Sequence, residues 1–177
     1  ELSAKVIDFG FPLIIKPVNL SSSKGVVLVN NFDELLTGYQ YCREFTQEPL
    51  IINEYVSGIE FSAEGLMINE SLFMTGLSER IFKYKEYSPF FVEVGDILPT
   101  NLTEEMIIKI KDLVERASLS LGIKSGIVKA DLIINSENEV FILELTPRLG
   151  GPRFGTEIVK LSNGTDVLRA ALQQLLN

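Results

Sequence analysis

The chain contains no histidine and one cysteine. Without imidazole there is no Ser-His-Asp triad, no Cys-His pair, and no histidine metal ligand or base. A lone Cys42 excludes an internal disulfide and suits a reducing cytoplasm, where the protein is expected to reside. No apolar run reaches transmembrane length, and no signal-peptide pattern opens the chain. No Lys/Arg cluster runs through it, and the net charge is −8 with a pI near 4.7. Neither a nucleic-acid surface nor a membrane partner is therefore expected. What remains for chemistry is carboxylates, Lys, Arg, Ser/Thr and bound small molecules. A metal held by carboxylates and phosphates is a hard one, with Mg²⁺ the default.

The 177 residues are 46% hydrophobic and 23% charged, enough for one globular domain or two small lobes. The chain opens at Glu1, which reads as a piece of something longer. Residues 1–9 read as a helix end stopped by Gly10. Strands are predicted at 11–17, 25–30, 50–56, 60–68, 71–78 and 90–98, with Asn69-Glu70 turning the hairpin between the fourth and fifth. A helix is predicted from Asp33 to about Phe45, with Leu35, Leu36, Tyr39, Cys42 and Arg43 near helical spacing. Thr103 caps another to about Leu121, with Glu104 and Glu105 in its first turn. Its apolar stripe is Met106, Ile107, Ile110, Leu113, Val114 and Ala117, and Gly122 ends it. A last helix follows Thr165 or Asp166. Strands in runs with few helices predict an α+β fold with mostly antiparallel sheets.

The most informative stretch is residues 126–148. Two strand-like runs, GIVKADLII and EVFILEL, flank the polar turn Asn135–Asn138. Closure around four turn residues makes Lys129 face Glu144 and Asp131 face Ile142. Lys129, Asp131, Glu144, Thr146 and Arg148 then share one face, with Asp131 and Glu144 diagonal neighbours. Ala130, Leu132, Phe141 and Leu143 form the core face. Two carboxylates, a Lys and an Arg on one face are suited to metal and phosphate; the plain alternative is a set of solvated cross-strand ion pairs. An odd-length loop would put Asp131 and Glu144 on opposite faces.

Elsewhere, Lys16 lies among apolar residues at a strand end, and Ser21, Ser22, Ser23, Lys24 and Gly25 form a loop able to offer N–H groups and a cation to phosphate. An ordinary polar turn is the alternative. The run IINEYVSGIE can offer backbone groups to a purine edge, with Glu60 placed for ribose hydroxyls; a plain strand–turn–strand is the alternative.

Taken in order, FPLIIKP, SSSKGV, NEYVSGIE, VKADLII and LELTPRLGG resemble the ATP-grasp superfamily across nearly the whole chain. The order is similar to ATP-dependent carboxylate–amine ligases and to biotin carboxylase and carbamoyl phosphate synthetase. The resemblance implies a two-lobed ATP-grasp fold with a nucleotide cleft, residues 1–56 being part of the central lobe and 57–177 the C-terminal lobe. It implies that Lys16 reaches the ATP phosphates and that Ser21–Gly25 covers them. Asn53, Glu54, Tyr55 and Val56 would contact adenine, with Val56 packed on the ring, and Glu60 would hold ribose. Asp131 and Glu144, with Thr146 as third ligand, would hold one or two Mg²⁺, Mn²⁺ being the substitute ion. Arg148, grouped with Lys129 as catalytic, would meet the substrate or the transferring phosphoryl group. Thr146 stands where Asn is usual, Asn53 where Glu is common, and serines where the phosphate loop often has glycines. The family's N-terminal substrate-side domain and a further phosphate-binding lysine are absent from this sequence, so the isolated piece is expected to be inactive, and a homodimer would form through the missing regions. The implied activity joins a carboxylate to an amine, both small molecules, with an amino-acid ligase the preferred subclass. The other reading is an ATP-binding regulatory module without ligase activity.

Overall fold

A computed structural model describes residues 10–82, 91–151 and 153–176. The helix end expected at residues 1–9, and Phe90 at the start of the strand expected at 90–98, lie outside these. The described residues form two compact units. One extends to Val56 and includes residues 82 and 91–94; the other comprises residues 57–81 and those from Gly95 onward. The predicted α+β class with antiparallel sheets is what the structure shows.

In the first unit, β1 (Leu13–Pro17) lies between β2 (Val27–Val29) and β3 (Leu50–Glu54), both antiparallel to it. Helix α1 (Phe32–Arg43) covers one face. Its cap is Asn31, two residues before the expected start: the Asn31 side-chain oxygen accepts from the backbone N–H groups of Asp33 and Glu34 at 3.0 and 3.1 Å. Leu35 and Cys42 face the sheet and pack with Leu13, Ile15, Val27 and Val29, whereas Leu36 and Tyr39 point outward. Gly38 lets the helix approach closely, since a Cβ there would lie 2.8 Å from Val29 Cγ2.

In the second unit a five-stranded antiparallel sheet runs β6 (Gly95–Ile97), β5 (Ser71–Ile81), β4 (Ile59–Ile68), β7 (Gly126–Ile134), β8 (Val140–Thr146). Strand β6 is shorter than predicted, since residues 91–94 are not strand. The β4–β5 turn is two residues, Asn69 and Glu70, both at positive φ (49° and 67°), as tight hairpins require. Helix α2 (Glu104–Ser120) begins at Thr103, whose hydroxyl accepts from the Met106 N–H at 3.3 Å. Its Met106, Ile110, Val114 and Ser118 recur every four residues against the sheet. They meet Phe61, Ala63, Met67, Val128, Ala130, Leu132 and Ile134 in one core. Each of the large apolar side chains among them stabilises the fold by roughly 1.5–3 kcal/mol on burial.

The chain after β8 crosses to the opposite face of the sheet. There a π-helical turn (Phe154–Ile158) and α3 (Val159–Asn163), both unforeseen, precede α4 (Val167–Leu176). Phe154, Val159 and Val167 form a second small core. Gly76 of β5 admits it: a Cβ there would lie 2.5 Å from Val159 Cγ2 and 3.2 Å from Phe154 Cε1.

Candidate functional site

Strand β4 is central, so its two faces are set by its neighbours on both sides. Its odd residues Phe61 and Ala63 enter the α2 core. Its even residues Glu60, Ser62 and Glu64 therefore point to the other face. Residues paired across strands share a face, which extends these into rows. Ser62 pairs with Ser78 on one side and Asp131 on the other, and Asp131 pairs with Glu144. Glu64 pairs with Gly76 and Lys129, and Lys129 pairs with Thr146. One sheet face thus carries acids, hydroxyls and bases.

The predicted hairpin reached this face by a different path. Its loop is odd: Asn135 pairs with Glu139 through an N–H to carbonyl bond of 3.1 Å, and Asn138 takes a left-handed φ of 59°. The four-residue turn is thus corrected to three residues between a closing pair. Near the turn, Ile134 pairs with Val140 and Leu132 with Ile142. A bulge then shifts the register, Leu143 being the extra residue, and Asp131 pairs directly with Glu144. The two carboxylates are opposite, not diagonal. Lys129 faces Thr146, not Glu144. The expected core face is corrected as well: Ala130 and Leu132 are fully buried, but the β8 residues packed against that core are Val140, Ile142 and Leu145, while Leu143 is exposed and Phe141 lies outside the core.

Asp131 is the hub. Its Oδ2 lies 2.5 Å from Lys129 Nζ and 3.6 Å from Arg80 Nη1, and Arg80 is also 3.2 Å from Glu60 Oε2. These four side chains are only 11–14% exposed, so the charges interact with little screening. Asp131 Oδ1 and Thr146 Oγ1 are buried without a hydrogen-bond partner. Glu144 is half exposed, and Arg148 approaches it at 4.0 Å. Among the described residues no group of three or more carboxylate or thiol ligands gathers. A cation here would rest on Asp131 and Glu144, with the Thr146 hydroxyl, and complete its shell from a ligand's oxygens or water. The bare Asp131 and Thr146 oxygens fit that use.

Five residues of this face were missed from sequence: Ser62, Glu64, Ser78, Arg80 and Asp96. The Ser78 hydroxyl donates to Asp96 Oδ1 at 2.6 Å, and Arg80 pairs with Asp96 across β5 and β6. The signal was present in EFSAE, where polar residues recur at period two inside a strand. Glu64 is 1% exposed. Its Oε2 accepts from the Gly150 N–H, and its Oε1 has no partner. Burial pushes its carboxyl above the usual range, against the opposing pull of the Gly150 N–H and Lys129.

The other predicted residues belong to the first unit. Lys16 lies on the β1 face away from α1, paired with Ile51, and Ile14 on that face pairs with Asn53. Glu54 pairs with Leu13, and the Tyr55 N–H donates to the Pro12 carbonyl at 3.2 Å. Val56 is half buried. The Ser21–Gly25 loop joins β1 to β2 with Ser22, Ser23 and Gly25 at φ of 58°, 56° and 72°. Two serines hold the conformation that glycine adopts at least cost. Gly25 packs on Pro17, and its carbonyl accepts from Cys42 Sγ at 3.0 Å.

The chain is similar to known proteins in sequence and in fold. The family profile described as "ATP-grasp domain" matches residues 9–156. A D-alanine–D-alanine ligase of Syntrophobacter fumaroxidans is 32% identical over 156 residues, covering 81% of this chain and 47% of that one. An L-amino acid ligase structure from Bacillus licheniformis is 28% identical with a TM-score of 0.80, covering 95% of this chain and 39% of its own. The biotin carboxylase domain of the Hydrogenobacter thermophilus 2-oxoglutarate carboxylase, determined with MgADP and bicarbonate, shares the fold at 14% identity and a TM-score of 0.80, over 99% of this chain and 39% of that one. The chain spans less than half the length of each of these relatives.

Proposed function

This chain belongs to the ATP-grasp domain family, and on that premise we propose that it is the nucleotide-handling part of an ATP- and Mg²⁺-dependent carboxylate–amine ligase. The observation that carries the reading is Asp131: one oxygen held by Lys129 and Arg80, the other buried and bare, directly opposite Glu144. A carboxylate kept purely for ion pairing has no reason to leave one buried oxygen unsatisfied.

In this reading Asp131, Glu144 and Thr146 hold Mg²⁺, or Mn²⁺ in its place. The bound ion supplies charge neutralisation at the phosphate oxygens. Lys16 and Lys24 neutralise further phosphate oxygens, with the Ser21–Gly25 backbone offering N–H donors. Asn53–Val56 meets the adenine edge, and Glu60 takes the ribose hydroxyls. The substrate carboxylate attacks the terminal phosphorus of ATP and ADP departs, leaving an acyl phosphate. The amine nitrogen then attacks the acyl carbon, phosphate departs, and the nitrogen loses a proton. Arg148 and Lys129 stabilise the charge that develops on the transferring group, and Arg80 joins them on the same face. The chain's contribution is orientation and electrostatics.

Amino-acid substrates are the preferred class, supported by the two amino-acid-joining relatives. The single buried thiol suits a cytoplasmic setting, and no helix among the described residues is long and apolar enough to cross a membrane. The test is ADP formation by the full-length protein with MgATP and amino acids offered singly and in pairs. ADP release that depends on a particular pair, with a condensed product, is expected. Tight MgATP binding without turnover on any pair would favour a regulatory ATP-binding module instead.

A further inference from the structure

Glu64 is a carboxylate with no place in the proposed chemistry. It sits on the central strand, is buried to 1% exposure, and leaves Oε1 without a partner. Burying it disfavours folding unless something is gained, and an apolar side chain of similar volume would serve stability as well or better. What it touches suggests the gain. Its Oε2 receives the N–H of Gly150, two residues beyond Arg148. The loop is shaped to admit this carboxylate and little else. A Cβ at Gly155 would lie 1.9 Å from Oε1, and one at Gly150 would lie 3.0 Å from Oε2. Phe154 closes the same space from above, its Cβ 3.1 Å from the position a Gly150 Cβ would take. Glu64 therefore reaches from the middle of the sheet to the segment that leaves the edge strand β8, past Lys129, its partner on β7. Arg148 is half exposed, and of its own contacts one is to the neighbouring Leu149 carbonyl at 2.9 Å and another to Glu144 at 4.0 Å. Neither tie fixes the guanidinium relative to the central strands.

We propose that Glu64 is a positioning residue: it clamps Gly150, two residues beyond Arg148, to the central strand and so sets where Arg148 stands over the Asp131–Glu144 face. The proposal rests on the ligase reading for what Arg148 does, but the clamp is a statement about this chain alone. Loosening it should cost turnover and leave nucleotide affinity in place, because a misplaced charged donor is felt most in the transition state.

The experiment uses the full-length protein with Glu64→Met, which fills the volume without an acceptor, and Gly155→Ala, which displaces the carboxylate from the loop side. Amide exchange at Gly150, MgADP affinity by calorimetry, and kcat with ATP and the amino-acid pair are measured for each. In a variant that folds, exchange at Gly150 should rise at least tenfold and kcat should fall at least tenfold. The Kd for MgADP should stay within threefold. Unchanged protection of Gly150 in either folded variant overturns the clamp. A loosened Gly150 with kcat within twofold of wild type overturns its role in positioning, and so does a parallel loss of kcat and MgADP affinity, which would mark a merely structural residue. A wild type that turns over no amino-acid pair removes the ligase reading and the role of Arg148 with it, while the exchange measurement still decides whether Glu64 holds the loop.

Discussion

Asp131→Asn keeps the shape of the side chain and removes its charge, which separates two effects. The first is on stability. Lys129 and Arg80 lie 2.5 and 3.6 Å from the carboxylate, and all three side chains are nearly buried. Removing one partner of such a set costs about 3–5 kcal/mol. Arg80 keeps Glu60 at 3.2 Å, so the lower end, about 3 kcal/mol, is expected. For a folding unit of this size that lowers Tm by roughly 6–12 °C. The second effect is on metal-linked binding. A ligand at a hundred times its Kd stabilises the folded state by about 2.7 kcal/mol. Wild type should gain close to that from ADP with Mg²⁺, and less from ADP with a chelator. In Asp131→Asn the Mg²⁺-dependent part of the gain should vanish while the chelator part remains. The assay is a set of thermal melts of both proteins, with and without ADP and with Mg²⁺ or chelator. An equal Mg²⁺-dependent increment in the two proteins would refute the metal role of Asp131. An unchanged Tm without ligand would refute the buried ion-pair set.

Arg148→Ala should lower kcat by about ten- to a thousandfold with ATP affinity within a few-fold, whereas Glu60→Gln should raise KM for ATP with a smaller effect on kcat; steady-state kinetics separate the two. Unimpaired ligation by Arg148→Ala would reduce it to a surface partner of Glu144. Glu64→Gln tests the buried carboxylate by pH. Burial raises the folded-state pKa of Glu64 above its ordinary 4.5, opposed by the Gly150 N–H and by Lys129, which faces it from β7. A raised folded-state pKa gives stability that is full below the unfolded value and lost as pH rises through the folded one. The Tm of Glu64→Gln relative to wild type should therefore climb as pH rises from about 4.5, and a gap that stays flat to pH 8 would contradict the assignment. Ile110→Ala, at a fully buried site in the α2 core, should cost about 2–5 kcal/mol in urea denaturation without changing the m-value.

Local rules made some of the chain legible and left other parts opaque. Helix α2 was readable because cap, first-turn acids and stripe agree within seventeen residues. The stripe missed Ser118, since spacing of apolar residues cannot tell that this serine, whose hydroxyl bonds back to Val114 at 2.7 Å, takes a core position. Asn31 was overlooked as a cap because the next residue, Phe32, is apolar and begins the helix. In the site, Lys129, Asp131, Glu144 and Thr146 share a face, but by a bulge at Leu143 that offsets an odd loop, a compensation that alternation alone does not reveal. Arg80, Ser62 and Glu64 could not be attached to them without knowing that β4 lies between β5 and β7. Glu64 is the extreme case. Its partner is 86 residues away, and nothing local distinguishes a glutamate that holds a loop from one that faces water. The segment at 153–163 was opaque for a related reason: its π-helical turn and short helix are held by Phe154 and Val159 packing at Gly76, not by propensity.

The hairpin also shows why its face assignment survived a wrong register. The loop has an odd number of residues, and continuing its pairing unbroken would set Glu144 opposite Ala130, which is fully buried against α2. An unpaired carboxylate there would cost several kcal/mol. One extra residue at Leu143 restores the parity, at the price of a local break in the ladder close to the edge of the sheet. Below the break Glu144 and Thr146 stand opposite Asp131 and Lys129, while above it Val140 and Ile142 turn into the core. The bulge thus lets one strand serve two demands, apolar packing near the turn and a polar platform near Arg148. Both demands are written in the order V-F-I-L-E-L-T, and with a three-residue loop the extra residue at Leu143 is what reconciles them.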